Sequence, residues 1–170
     1  MKLFHEISPK DWKENVFDRI GNDWMLISAG REDALNTMTA SWGGVGVLWG
    51  KDVSFVFVRP SRYTFEFIES EDCYSLCFFS NEKKDVLQYC GTHSGRDGDK
   101  IKEMDLHTNF DEGTPYFEEA DLVLICKKMY WQDMDAENFL DEDIHRFYTE
   151  GDYHRVYVGS IVKVLQSSLN

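Results

Sequence analysis

Three absences narrow the possibilities before any motif is considered. Positive charge is scarce: 18 Lys and Arg stand against 31 Asp and Glu, a formal charge of −13 over 170 residues. Such a chain repels a polyphosphate backbone everywhere except at a local basic island, so no nucleic-acid partner is expected. Long apolar runs are missing as well. None exceeds "LVLIC" at residues 122–126, far short of a membrane-spanning helix. The stretch "MKLFHEISPK" has no signal-peptide core ahead of Glu6 and Pro9. A soluble, cytoplasmic protein that engages no membrane is the expectation. Finally, Cys73, Cys77, Cys90 and Cys126 form no C-x-x-C pair and have no histidine at zinc-site spacing. They read as reduced thiols, with Cys73 and Cys77 on one face of a strand acting as small hydrophobes.

What is present suffices for a core. The chain is 42% hydrophobic and 15% aromatic, enough to fill one domain of this length, and it holds no repeat, low-complexity tract or linker. "SPKDWKENVFDRIG" reads as a helix, with Ser8 as N-cap, Pro9 at the first position, Gly21 past the end, and Trp12, Val16 and Ile20 on one face. "WMLISAG", "VSFVFV" and "CYSLCFFS" read as strands; "SRYTFEFIES" reads as a Ser-capped helix and "EKKDVLQYCG" as a helix closed by Gly91. "THSGRDGDKIKEM" is a glycine-punctuated loop leading into a helical turn. "ADLVLICKKMYWQDM" and "YHRVYVGSIVKVLQ" are the longest strand candidates, the second with a bulge at Gly159. About six strands without βαβα alternation fit a small antiparallel barrel better than a parallel sheet.

Several familiar site patterns fail on inspection. "GGVGVLWG" misplaces the third glycine of a dinucleotide fingerprint and has no helix after it. "GRDGDK" has calcium-loop spacing at Asp97 and Asp99, but Thr108 stands where the closing acid belongs, so a turn is expected. The acids from Asp133 to Asp143 read as a solvated helix start. His5, His93, His107, His145 and His154 are scattered, and no Ser or Cys sits in a G-x-S-x-G elbow.

Two stretches remain. Between Val53 and Phe65 there is no acid, and the only charges are Arg59 and Arg62 in "VRPSRYT". Guanidinium groups, hydroxyls and the free N–H groups of a helix start make a monophosphate site without a glycine-rich loop. A capped helix with two surface arginines explains the same residues, and the island alone does not decide between the two. The other stretch is "ALNTMTASWGG" at residues 34–44. As a strand it has no plain core face. It carries hydroxyls where a barrel strand buries Val or Ile, and it ends on Trp42 and paired glycines. Small side chains let a planar heterocycle approach the backbone donors and acceptors, and Trp42 can cover it.

"NTMTASWGGVG" followed by "VSFVFVRPSRYTFEFIE" resembles the flavin reductase-like family of FMN-binding split barrels, which includes the flavoredoxins. "YCGTHSGRDGDK" and "DYHRVYVG" extend the similarity to most of the chain. The resemblance implies a mainly β fold, a six-stranded antiparallel Greek-key split barrel with short peripheral helices, one domain over residues 1–170. It also implies a homodimer with FMN near the interface. Carried over by position, Asn36, Thr39, Ala40, Ser41 and Trp42 contact the flavin ring and ribityl chain, while Arg59, Ser61, Arg62 and Thr64 hold the phosphate. Ser94, Gly95, Arg96 and Lys100 are further cofactor-contact candidates.

A missing acid–base pair is then understandable, because hydride transfer between nicotinamide and flavin is chemistry the cofactors carry. The family implies an NAD(P)H-dependent flavin reductase that delivers electrons to free flavin or another acceptor. A flavoredoxin-like carrier exchanging electrons with a redox protein partner is the alternative, and a flavin-less barrel using the same pocket is a third. The sequence leaves open which of these it is, and also NADH against NADPH.

Overall fold

The computed structural model describes residues 3–168. Its strands are β1 (Phe4–Ile7), β2 (Met25–Arg31), β3 (Ala34–Ala40), β4 (Gly43–Leu48), β5 (Lys51–Val58), β6 (Cys73–Phe78), β7 (Thr108–Asp111), β8 (Thr114–Phe117), β9 (Leu122–Asp133) and β10 (Arg155–Ser167). Its α-helices are α1 (Val16–Asp18), α2 (Tyr63–Ser70), α3 (Lys84–Thr92) and α4 (Lys100–Glu103).

Eight strands form one antiparallel sheet in the order β3-β2-β6-β9-β10-β5-β4, with β1 pairing β10 beside that path, and β7 and β8 form a separate hairpin. The edge strands β3 and β4 are consecutive in the chain, joined only by Ser41 and Trp42. The sheet therefore curls until its two edges meet at that junction, and the split of the barrel lies there. One hydrophobic cluster takes residues from β2, β3, β5, β6, β9 and β10, including Ile27, Met38, Val56, Tyr74, Leu124 and Tyr157. These six strands are the barrel wall. The expected class holds, with β1 and β4 added to the six strands that line the interior.

A second cluster covers the outside of the sheet, where Leu26, Cys77 and Val123 meet Val86, Leu87 and Cys90 of α3 and Phe117 of β8. Strands β2, β6 and β9 are thus buried on both faces, which explains their nearly continuous apolar sequence. Gly159 lies at the expected irregularity in the β9–β10 ladder, where Met129 is the extra residue on β9. A Cβ at this glycine would come within 2.4 Å of the Tyr74 hydroxyl. That hydroxyl is buried and shares a 2.8 Å hydrogen bond with Ser54 Oγ.

The local corrections have local causes. The helix expected over residues 8–21 is broken. Ser8 does accept from the Lys10 N–H, but the turn it caps ends at Asp11, and Asn15 caps α1 afresh, followed by a π-turn at Arg19–Asp23 that contains Gly21. Helix α3 runs through Gly91 instead of closing on it. The glycine is needed for close packing: a Cβ there would meet Thr39 Cβ at 3.3 Å. The cap of α2 is Arg62, not Ser61. Asp133 to Asp143 form no regular helix start; Asp135 and Asp141 each cap a 3-10 turn, and Asp133 pairs with Arg155.

Candidate functional site

The site lies beside the split, where β3, the start of α2 and the loop before α4 converge. Asn36 of β3 is buried and donates from Nδ2 to Thr64 Oγ1 at 3.0 Å, tying the strand to the first turn of α2. That first turn has no side-chain cap. Of its leading N–H groups, that of Phe65 already donates to the Arg62 carbonyl at 2.9 Å, while Tyr63 and Thr64 line the cavity alongside. The cavity has a volume of 130 Å³, and its wall includes Asn36, Ser61, Arg62, Thr64, Gly95 and Lys100. Gly91 of α3 and Ser94 of the loop that follows complete it.

Two cations line this small space with no carboxylate partner among the described residues. Arg62 Nη1 donates to the Gly91 carbonyl at 3.0 Å, and burial followed by the nearby Arg59 charge lowers its pKa. Lys100 is 3% exposed and donates from Nζ to the carbonyls of Cys90 at 3.1 Å and His93 at 3.0 Å. Burial pulls its pKa down to about 8, with Arg62 adding to the fall. Desolvated like charges held together are costly, and a bound anion would relieve that cost.

Arg62 also lines a second cavity of 190 Å³, bordered by Met38, Thr39, Ala40, Ser41 and Trp42 on one side and by Phe57, Arg59 and His154 on the other. Trp42 is 42% exposed and meets Phe147 edge-on, with ring centroids 5.2 Å apart, and His154 at a tilt, 5.3 Å away. His154 Nδ1 shares a 2.7 Å hydrogen bond with the Tyr148 hydroxyl. Burial, then Arg59, lowers the His154 pKa to about 4, so the ring is neutral at physiological pH.

The structure brings together most residues singled out in the sequence, in two groups. Asn36, Ser61, Arg62, Thr64, Ser94, Gly95 and Lys100 share the cation-lined cavity, while Thr39, Ala40, Ser41, Trp42, Arg59 and Arg62 share the second. Their side chains are not all turned inward. Ala40 is 8% exposed and its methyl belongs to the barrel core. The Thr39 hydroxyl donates to the Leu87 carbonyl, and the Ser61 hydroxyl to the Asp152 carboxylate. Arg59 braces the segment before β10, donating to the carbonyls of Asp152 at 3.1 Å and Phe147 at 2.7 Å beneath the Tyr148 ring. Arg96 lines neither cavity; it pairs with Glu66, donates to the Ser61 carbonyl at 3.2 Å and lies over the Tyr63 ring.

Sequence reasoning missed His154 and the aromatic segment before it. The signal was the pairing of β5 with β10: Val58 lies opposite Arg155, so the next residues outward, Arg59 and His154, come side by side.

A cavity lined by half-buried Arg62 and buried Lys100, sharing the Arg62 wall with a cavity bordered by an indole, suits a ligand with an anionic end and a planar end. The fold recurs among known proteins. The flavoredoxin of Methanosarcina acetivorans superimposes with a TM-score of 0.65 at 22% identity, over 84% of this chain and 67% of that one. An FMN-binding protein from Thermus thermophilus, with bound p-hydroxybenzaldehyde, gives 0.67 at 20% identity over 93% of this chain and 76% of that one. An NADH:FAD oxidoreductase from Streptomyces globisporus gives 0.63 at 14% identity, over 94% and 86%. No curated protein sequence matches the chain. The family model for the flavin reductase like domain matches residues 17–169, and the chain belongs to that family.

Proposed function

We propose that the two cavities hold FMN, with the phosphate in the cation-lined cavity and the isoalloxazine ring against residues 39–42, and that the protein is an NAD(P)H-dependent flavin reductase. The observation that carries the flavin assignment is the pair of half-buried Arg62 and buried Lys100, lining one cavity with no carboxylate partner among the described residues in a chain of charge −13. A phosphate dianion beside the open first turn of α2 would be held by both cations and by backbone N–H groups. Thr64 positions Asn36 toward the middle of the site. Residues 39–42, Arg62 and Lys100 would hold the flavin, which when bound would supply the two-electron chemistry.

The protein's share of the reaction is to bind and orient. Trp42, propped by Phe147 and His154, covers one side of the ring cavity while remaining partly open to solvent, which leaves access for a second planar group. The Tyr148–His154 pair sets the rotation of the imidazole that supports it. We assign the protein to the cytoplasm, in keeping with its four free cysteines. It acts as a homodimer: Val47 and Trp49 near the β4–β5 turn and Tyr130 and Trp131 on β9 are 73%, 58%, 43% and 53% exposed, and a second copy is the expected cover. Sedimentation of a dilute FMN-loaded sample as a monomer would remove that part.

The experiment is reduction of the FMN-loaded protein without oxygen. Bleaching of the oxidised flavin bands by NADH or NADPH is the expected result. Flavin that resists both nucleotides but accepts electrons from a reduced redox protein makes the chain a carrier. Protein that binds no flavin contradicts the whole assignment.

A further inference from the structure

The cation-lined cavity does not end at Lys100. Asn36, Gly95 and Lys100 also form part of the wall of a third cavity, 470 Å³, whose far side is built by Glu32 and Asp33 in the β2–β3 turn and by Phe110 of β7. The shared walls fix an order. Arg62 joins the ring cavity to the cation-lined one, and the Lys100 wall joins that to the third. Ring, phosphate, then a further chamber is the order of parts in a flavin dinucleotide, whose adenylate continues from the first phosphate.

We propose that the third cavity receives the adenylate half of FAD, so that the site takes the dinucleotide in preference to the mononucleotide. The inference rests on the flavin assignment above and extends it. The chemistry of the walls matches the parts of an adenylate. Phe110 is half-buried, lines this cavity and makes no aromatic ring pair among the described residues, and its ring is assigned to stacking the base. Among the described residues the carboxylates of Glu32 and Asp33 have no hydrogen-bond donor, so they can accept from ribose hydroxyls or the adenine amino group, as an acidic residue does in dinucleotide-binding folds. Asp99, also in this wall, is already used: it accepts from the Lys102 N–H and caps α4. Charge is graded in the right sense. Lys100 stands at the junction, where a second phosphate would lie, and the turn carboxylates line the third cavity but not the cation-lined one. Gly95 keeps the junction from narrowing, since a Cβ there would fall 2.3 Å from Asn36 Oδ1 and displace that side chain.

The test is calorimetric titration of the flavin-free protein with FMN and with FAD, repeated for Phe110→Ala and Asp33→Asn. The expected result is that FAD binds about tenfold tighter than FMN, and that Phe110→Ala removes about that factor from FAD while leaving FMN unchanged. Asp33→Asn should weaken FAD alone by roughly threefold; it lies in an exposed turn and carries the test if the Phe110 variant does not fold. FAD binding no tighter than FMN, or variants that weaken both flavins alike, overturns the inference and leaves the FMN assignment standing. Failure of both flavins to bind overturns the two together.

Discussion

Arg155 and Arg62 show two uses of a cation in the same acidic chain. Arg155 is fully partnered: Nε and Nη2 donate to the Asp133 carboxylate at 2.6 and 2.9 Å, Nη1 lies 3.1 Å from Glu69, and the guanidinium sits 3.8 Å above the Trp131 ring. Its pKa is raised accordingly, by Asp133 first. Arg62 has one carbonyl, a cationic neighbour and a lowered pKa, and Lys100 beside it is in the same condition. Acids are plentiful enough to neutralise every cation, yet none is placed in this cavity. Arg155 is neutralised within the fold, whereas Arg62 and Lys100 have no carboxylate partner among the described residues and would be neutralised by an outside anion.

The largest expected effect breaks the comparison from the cavity side. Arg62→Ala should weaken FMN by roughly tenfold to a hundredfold, the worth of a charge-assisted contact of about 1.5–3 kcal/mol, and leave riboflavin within about twofold. Fluorescence titration with the two flavins measures it. Equal losses would place Arg62 away from the phosphate.

Lys100 gives the next effect, through pH. The group loses its proton near pH 8 in the folded protein, against 10.5 as its ordinary value. FMN affinity should fall as pH rises above 8, by at most about tenfold per unit, while riboflavin affinity stays level. Folding stability moves the other way. Between pH 8 and 10.5 the unfolded chain binds the extra proton, so this group's contribution to the stability of the flavin-free protein rises with pH. Lys100→Met should abolish both trends, and binding and melting curves taken at a series of pH values would reveal either sign as wrong.

Arg155→Ala sharpens the comparison from the structural side. Loss of its aromatic and ionic contacts should lower stability by about 1–2 kcal/mol in denaturant unfolding, with both flavin affinities unchanged. Arg59→Ala should have the smallest effect on FMN, about threefold or less, because its donors are spent on the carbonyls of Phe147 and Asp152. Its signature would be faster hydrogen exchange across residues 147–152.

Much of this arrangement was legible in the sequence, for reasons that differ by residue. Strands β2, β6 and the first half of β9 announce themselves because burial on both faces demands nearly continuous apolar residues, and β10 by its length and β-branched content. β4 does not, since "GGVGVL" is glycine-rich and sits at the sheet edge with Val47 exposed. The β7–β8 hairpin was also passed over, although Glu112 and Gly113, with φ of 47° and 84°, mark its turn by the "DEGT" pattern. At the site, the acid-free interval around Arg59 and Arg62 was visible because it is local. Which arginine has its donors taken up by backbone carbonyls was not, because the partners of Arg59 lie some ninety residues away. Ala40 shows the same limit: small side chains mark the strand, but only the barrel's curvature turns its methyl into the core.

The most direct test of the central claim, that the unpaired cations exist to hold a phosphate, is the ratio of FMN to riboflavin affinity in the unaltered, flavin-free protein at pH 7. FMN should bind at least about tenfold tighter, since the two ligands differ only in the group assigned to Arg62 and Lys100. Equal affinity for both would contradict it.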